Sequence, residues 1–227
     1  MNTKSIFYLT LVISIIVQIV TGGIEIGALF INVPTSQLLI KELLILEVSV
    51  QLIESAFYFW LAYNVTTLLN MTPRRYMDWV ITTPTMLITL ILYLIYLDKQ
   101  KTNETNNLTF FTLLKENTDI ILPVIILNWL MLLFGYLSEM KKIPTLFGVF
   151  LGFIPFVTYY YMIYINYVNE NSVGYLLFWY FFFFWALYGV AAVLPYYVKN
   201  SFYNILDLFA KNFFGLFLSY LIFSGNF

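Results

Sequence analysis

Residues 74–84 read RRYMDWVITTP, and residues 200–223 read NSFYNILDLFAKNFFGLFLSYLIF. Each belongs to a long apolar run into which a few ionisable residues are set. Arg75 and Asp78 stand in the first, which then continues to Asp98 without another charge. Lys211 stands about 12 residues from either end of the second, roughly 18 Å at 1.5 Å per residue. A lysine stem is too short to carry its ammonium to water over that distance. Inside an apolar span an ionisable side chain is expensive, and it marks function before it marks packing.

The rest of the chain is built the same way. Of 227 residues 61% are hydrophobic and 10% charged, against about 25% charged in an ordinary soluble domain. The mean hydropathy is +0.83. These values imply a membrane protein whose first partner is the lipid bilayer. The net charge of −1 gives no electrostatic footprint for nucleic acid. Without cysteine there are no disulfides and no thiolate metal sites. Without histidine there is no neutral-pH imidazole shuttle and no Ser-His triad. No metal site and no enzyme is read from this chain, and proton chemistry falls to carboxylates, lysine, tyrosine and water.

A bilayer crossing takes about 20 apolar residues. Seven segments qualify, at about 5–31, 37–64, 73–97, 119–140, 143–167, 172–197 and 200–224. The expectation is one all-α, seven-helix bundle over residues 1–227. The connections are short except for the polar stretch 98–118, and the first segment has no cleavage pattern and reads as a retained helix. Lysines at both sets of loop ends orient the bundle only weakly.

The buried polar residues fall on stripes. Arg75, Asp78 and Thr82 share one face of the third helix at i, i+3, i+7, with Thr83 beside them. Pro84 is tolerated there because threonines or water can satisfy the freed carbonyl. Asp207 lies one turn before Lys211. A lysine paired with an acid is one account of that arrangement. The other is an amine in covalent use, since buried lysines form Schiff bases readily and a protonated imine needs a counter-charge. The second helix carries Glu47, Gln51, Glu54 and Tyr58 on one face, the first carries Ser14 and Gln18, and the seventh adds Asn200 and Asn204. Such faces suit a water-filled path whose acids select cations, and they equally suit interhelical hydrogen bonds or a homo-oligomer interface.

The pattern Arg-Tyr-x-Asp-Trp-x-x-Thr-Thr-Pro at 75–84, followed by Asp-x-x-x-Lys at 207–211, resembles the microbial (type 1) rhodopsins, the retinal-binding seven-helix proteins. The resemblance covers the whole chain. It implies all-trans retinal in a Schiff base on Lys211, Asp78 as primary counterion, Asp207 as second counterion and Arg75 as gate arginine. It also implies a retinal pocket formed by Trp79, Thr82, Thr83, Asn128, Met131, Gly135 and Trp185, with Phe178 or Trp179 upstream of Trp185. Phe182 stands where the family has a helix-six proline.

In proton pumps of this family an acid stands eleven residues after the counterion. Here that position is Thr89, which has no proton to give, so reprotonation is expected from bulk or through water. Lys199 stands where pumps usually carry a release glutamate. With Ser14, Glu47, Gln51, Glu54, Asn200 and Asn204, the chain is more similar to channelrhodopsins and to the small viral rhodopsins associated with light-gated cation conduction. The expectation is therefore a light-gated channel for monovalent cations and protons, multi-pass in a host cell membrane. A weak outward proton pump and a sensor acting through a partner remain the alternatives.

Overall fold

The structure, a computed structural model, describes residues 2–66, 70–106 and 108–225. Seven helices are long and apolar enough to cross a membrane among the described residues. They are α1 (Thr3–Leu29), α2 (Leu38–Asn64), α3 (Thr72–Lys101), α4 (Thr118–Glu139), α5 (Thr145–Tyr167), α6 (Ser172–Ala192) and α7 (Tyr196–Ser224). Consecutive helices pack side by side, α7 returns to α1, and α3 is the most enclosed of the seven.

Local chemistry sets the ends. Asn2 caps α1 by accepting from the Ser5 N–H at 2.9 Å. Asn171 caps α6 by accepting from Val173 and Gly174 N–H at 2.9 and 3.1 Å. Pro144 and Pro195 stand immediately before α5 and α7, where a missing N–H costs nothing. Pro195 also explains why α6 stops at Ala192 and not near 197, and why α7 starts at Tyr196 and not 200. The stretch 98–118, expected to be an irregular connection, is partly ordered. α3 runs on to Lys101, and a short helix spans Phe110–Glu116.

Two irregularities position the site. Pro84 cannot donate to the carbonyl of Val80, and Trp129 of α4 donates its Nε1–H to that oxygen at 2.9 Å. The freed acceptor thus becomes an α3–α4 tie. In α7, residues Leu208–Asn212 form a π-helical turn containing Lys211, a distortion that occurs often at functional sites. Tyr180 of α6 donates to the Phe209 carbonyl within that turn at 2.8 Å.

Candidate functional site

Lys211 is 3% exposed, and its ammonium donates to Asp78 Oδ2 and lies 4.0 Å from Glu54 Oε1. Three elements therefore meet at one nitrogen: the π turn of α7, the second turn of α3 and the middle of α2. Asp207, one turn before Lys211, accepts from Tyr58 Oη and Tyr188 Oη, each at 2.7 Å, and from Arg75 Nη1 at 3.2 Å.

Arg75 is fully buried. Its Nε donates to Asn200 Oδ1 at 3.2 Å, its Nη2 to Asn204 Oδ1, and Phe57, Tyr58 and Tyr203 surround it at 5.6–5.7 Å. Arg75 directly contacts Asp207 and the two asparagines, and Asp78 directly contacts Lys211. Asn200 donates onward to Thr72 Oγ1 and Asn204 to Thr10 Oγ1, both at 3.0 Å. Ser14 donates to the Asn204 carbonyl at 3.0 Å. A buried polar layer thus joins α1, α2, α3 and α7 on one side of Lys211. Lys199, nearer the end of α7, is held by both oxygens of Glu139 on α4, at 2.7 and 2.9 Å.

A second knot lies beside it. Asn212 donates to Thr21 Oγ1 at 2.8 Å and to Gln51 Oε1 at 2.9 Å. Gln51 in turn donates to the Gln18 carbonyl at 3.0 Å and to Thr21 at 3.1 Å. Gln51 therefore faces Gln18, Thr21 and Asn212. Glu47 and Glu54 are buried, and neither carboxyl has a hydrogen-bond partner among the described residues.

The opposite side of Lys211 is apolar. A cavity reaches it from between α3, α4, α5 and α6. Trp79, Thr83, Met131, Gly135 and Trp185 line it, together with Tyr76, Met86, Phe156 and Tyr188. Gly135 is where it is because a Cβ there would collide with Tyr76 Oη. Two expected wall residues are not on the wall. Thr82 turns its hydroxyl to the Asp78 carbonyl at 3.0 Å, and Asn128 stands behind Thr83 and donates to its Oγ1 at 2.8 Å. Phe178 is buried, whereas Trp179 is 42% exposed.

The sequence reading missed Glu25, Thr21, Tyr188 and Asn212. Glu25 and Thr21 extend the stripe of Ser14 and Gln18 by whole turns, so the periodicity held the signal. Asn212 adjoins Lys211 and carried none by spacing.

A model of the "Bacteriorhodopsin-like protein" family matches residues 8–225. Among curated proteins no match is found. Among solved structures the chain is similar to the viral rhodopsin OLPVRII, with 27% identity, 99% of each chain covered and a TM-score of 0.80. It shares its fold with xanthorhodopsin, a light-driven ion pump with dual chromophore, at 19% identity, covering 98% of this chain and 94% of that one with a TM-score of 0.74. The same holds for a blue light-absorbing proteorhodopsin from Med12, at 17% identity, 96% and 97% coverage and a TM-score of 0.73. With the family model matched over nearly its whole length, the chain belongs to the bacteriorhodopsin-like family of microbial rhodopsins, a family that implies a retinal chromophore.

Proposed function

We propose that this protein is a photoreceptor that carries all-trans retinal as a protonated Schiff base on Lys211 and acts as a light-gated cation channel. The residues present suit that group: an apolar cavity walled by Trp79, Trp185 and Met131 ends at a single amine, and the amine faces a carboxylate. Bound there, retinal would supply absorption of visible light and isomerisation of a double bond. The protein's own part is to hold charge and exclude water. Asp78 balances the cationic nitrogen at Lys211 and is placed to take its proton. Arg75 pairs with Asp207.

The observation that carries the channel reading is the seam between α1, α2, α3 and α7. Ser14, Gln51, Glu47, Glu54, Asn200 and Asn204 are all buried in it, and α4 to α6 have no comparable row. The knot at Asn212 and Gln51 closes the seam beside Lys211. Because Asn212 is the next residue after Lys211, a backbone shift in the π turn pulls directly on Thr21 and Gln51. Once the knot parts, Glu47 and Glu54 become carboxylates lining a wetted path, which favours cations.

Whole-cell photocurrents test it. They should reverse sign with voltage and follow the cation gradient. Currents of one sign at every voltage would instead support outward proton pumping, which the direct Lys211–Asp78 contact favours. Glu54→Gln is expected to cut the conductance or move the reversal potential while the pigment still forms. Wild-type current and selectivity in a Glu47→Gln/Glu54→Gln double variant would remove both residues from the path.

Asp78→Asn is expected to shift the absorption to longer wavelength. A carboxylate at the nitrogen stabilises the positive charge in the ground state, where it sits on the imine, more than after excitation, when it spreads along the polyene. Losing the anion narrows that gap and lowers the affinity of the nitrogen for its proton. An unchanged spectrum would show that Glu54, and not Asp78, balances the charge.

A further inference from the structure

Glu25 has no role in the site as described so far, and Glu47 has one only as a lining group of the proposed cation path. Glu25 is 1% exposed and Glu47 2%. Among the described residues all four of their carboxyl oxygens lack hydrogen-bond partners. The Gln51–Thr21 bond sets the register of the antiparallel α1–α2 pair, and one turn along it Glu25 comes level with Glu47. The Glu25 carboxyl lies against the backbone of α7. At Gly215, one turn beyond Lys211, a Cβ would collide with both Glu25 oxygens. Glycine there is a condition for the carboxyl to occupy that place.

Among the described residues no cation stands beside the pair to balance two charges. Across the pair stand Thr89 of α3 and Gly215 of α7, neither of which titrates. Tyr93 of α3 packs on Phe214 and Phe217. At the end of α2, Lys41 donates to the Ile31 carbonyl at 2.8 Å and Glu42 accepts from the Phe110 N–H at 2.6 Å. Glu54 and Lys211 lie about two turns further along the seam. Two adjacent carboxylates cannot both stay ionised in a dry site. The ligand that neutralises them has to be small, since a divalent ion wants at least six oxygens, and the pair with Thr89 offers fewer.

We propose that Glu25 and Glu47 jointly hold a proton and are the internal proton donor of this protein, taking the role that Thr89 cannot fill. The proposal rests on the photoreceptor reading of Lys211. After Nζ of Lys211 has passed its proton to Asp78, an O–H bond of the pair breaks and an N–H bond at Nζ forms. The proton travels past the Asn212–Gln51 knot. The pair is left one charge more negative and recovers a proton from the nearby aqueous face. The donor thus stands on α1 and α2, and Gly215 seats it against the helix that carries Lys211.

Infrared spectroscopy of the retinal-free protein at neutral pH reads the proton without any photocurrent. The wild-type minus Glu25→Gln difference should contain a protonated-carboxyl stretch. In the pigment, recovery after a flash should be nearly independent of external pH in wild type. In Glu25→Gln it should slow roughly 10- to 100-fold and follow the bulk proton concentration, and Glu25→Asp should restore part of the rate. If Glu25→Gln does not fold, Gly215→Ala carries the same test, because it displaces the carboxyl without removing it and should move the band and slow recovery. Absence of the carboxyl band, or unchanged recovery in the variant that folds, overturns the proposal. The wild-type reversal potential decides the channel reading separately.

Discussion

Lys211→Ala is expected to yield a folded protein that stays colourless when retinal is added. The amine is the one nucleophile at the end of the apolar cavity, and it is almost wholly enclosed. Its loss removes the covalent anchor and the positive charge that Asp78 and Glu54 face. Those carboxyls then neutralise by protonation, because an unpaired buried carboxylate is far more costly than a buried acid. Circular dichroism should retain its helical signal, so that loss of colour is not loss of fold. A visible band in Lys211→Ala would place the chromophore on another residue and overturn the assignment.

Arg75→Gln is expected to be the most destabilising single change in the polar seam, by about 3–5 kcal/mol. Arg75 and Asp207 form a fully buried ion pair at 3.2 Å. Removing the guanidinium strands Asp207 beside Tyr58 and Tyr188 and orphans the side-chain oxygens of Asn200 and Asn204. Arg75→Lys keeps the charge but cannot bond Asp207, Asn200 and Asn204 at once, and it should recover only part of the loss. Thermal denaturation of the detergent-solubilised protein measures both. Wild-type stability in Arg75→Gln would mean that the Asp207 pair is not formed in the membrane protein.

The seven helices were legible because hydropathy alone sets spanning segments, and proline punctuation explains most errors at their ends. The site was legible where chemistry is rare for its setting. Lys211, Asp78, Asp207 and Arg75 stand out in an apolar chain, and stripes on α1 and α2 gathered Ser14, Glu47, Gln51 and Glu54. Pairing was not legible. Spacing puts Asp207 one turn from Lys211, but it does not show that its oxygens are taken by Tyr58, Tyr188 and Arg75. Thr82 and Asn128 were read as wall residues because spacing tells which face a residue is on, not how far its side chain stands from the cavity. Asn212 is one more asparagine until its neighbours on α1 and α2 are known.

The apolar cavity lies among α3, α4, α5 and α6, while the row of buried acids and amides lies among α1, α2, α3 and α7. Tyr188 and the turn at Lys211 touch both, Tyr188 by lining the cavity while donating to Asp207. Under the proposed function, residues away from that junction, Met131 on one side and Ser14 on the other, are expected to act on colour and on permeation separately, since changes at sites that do not touch combine additively.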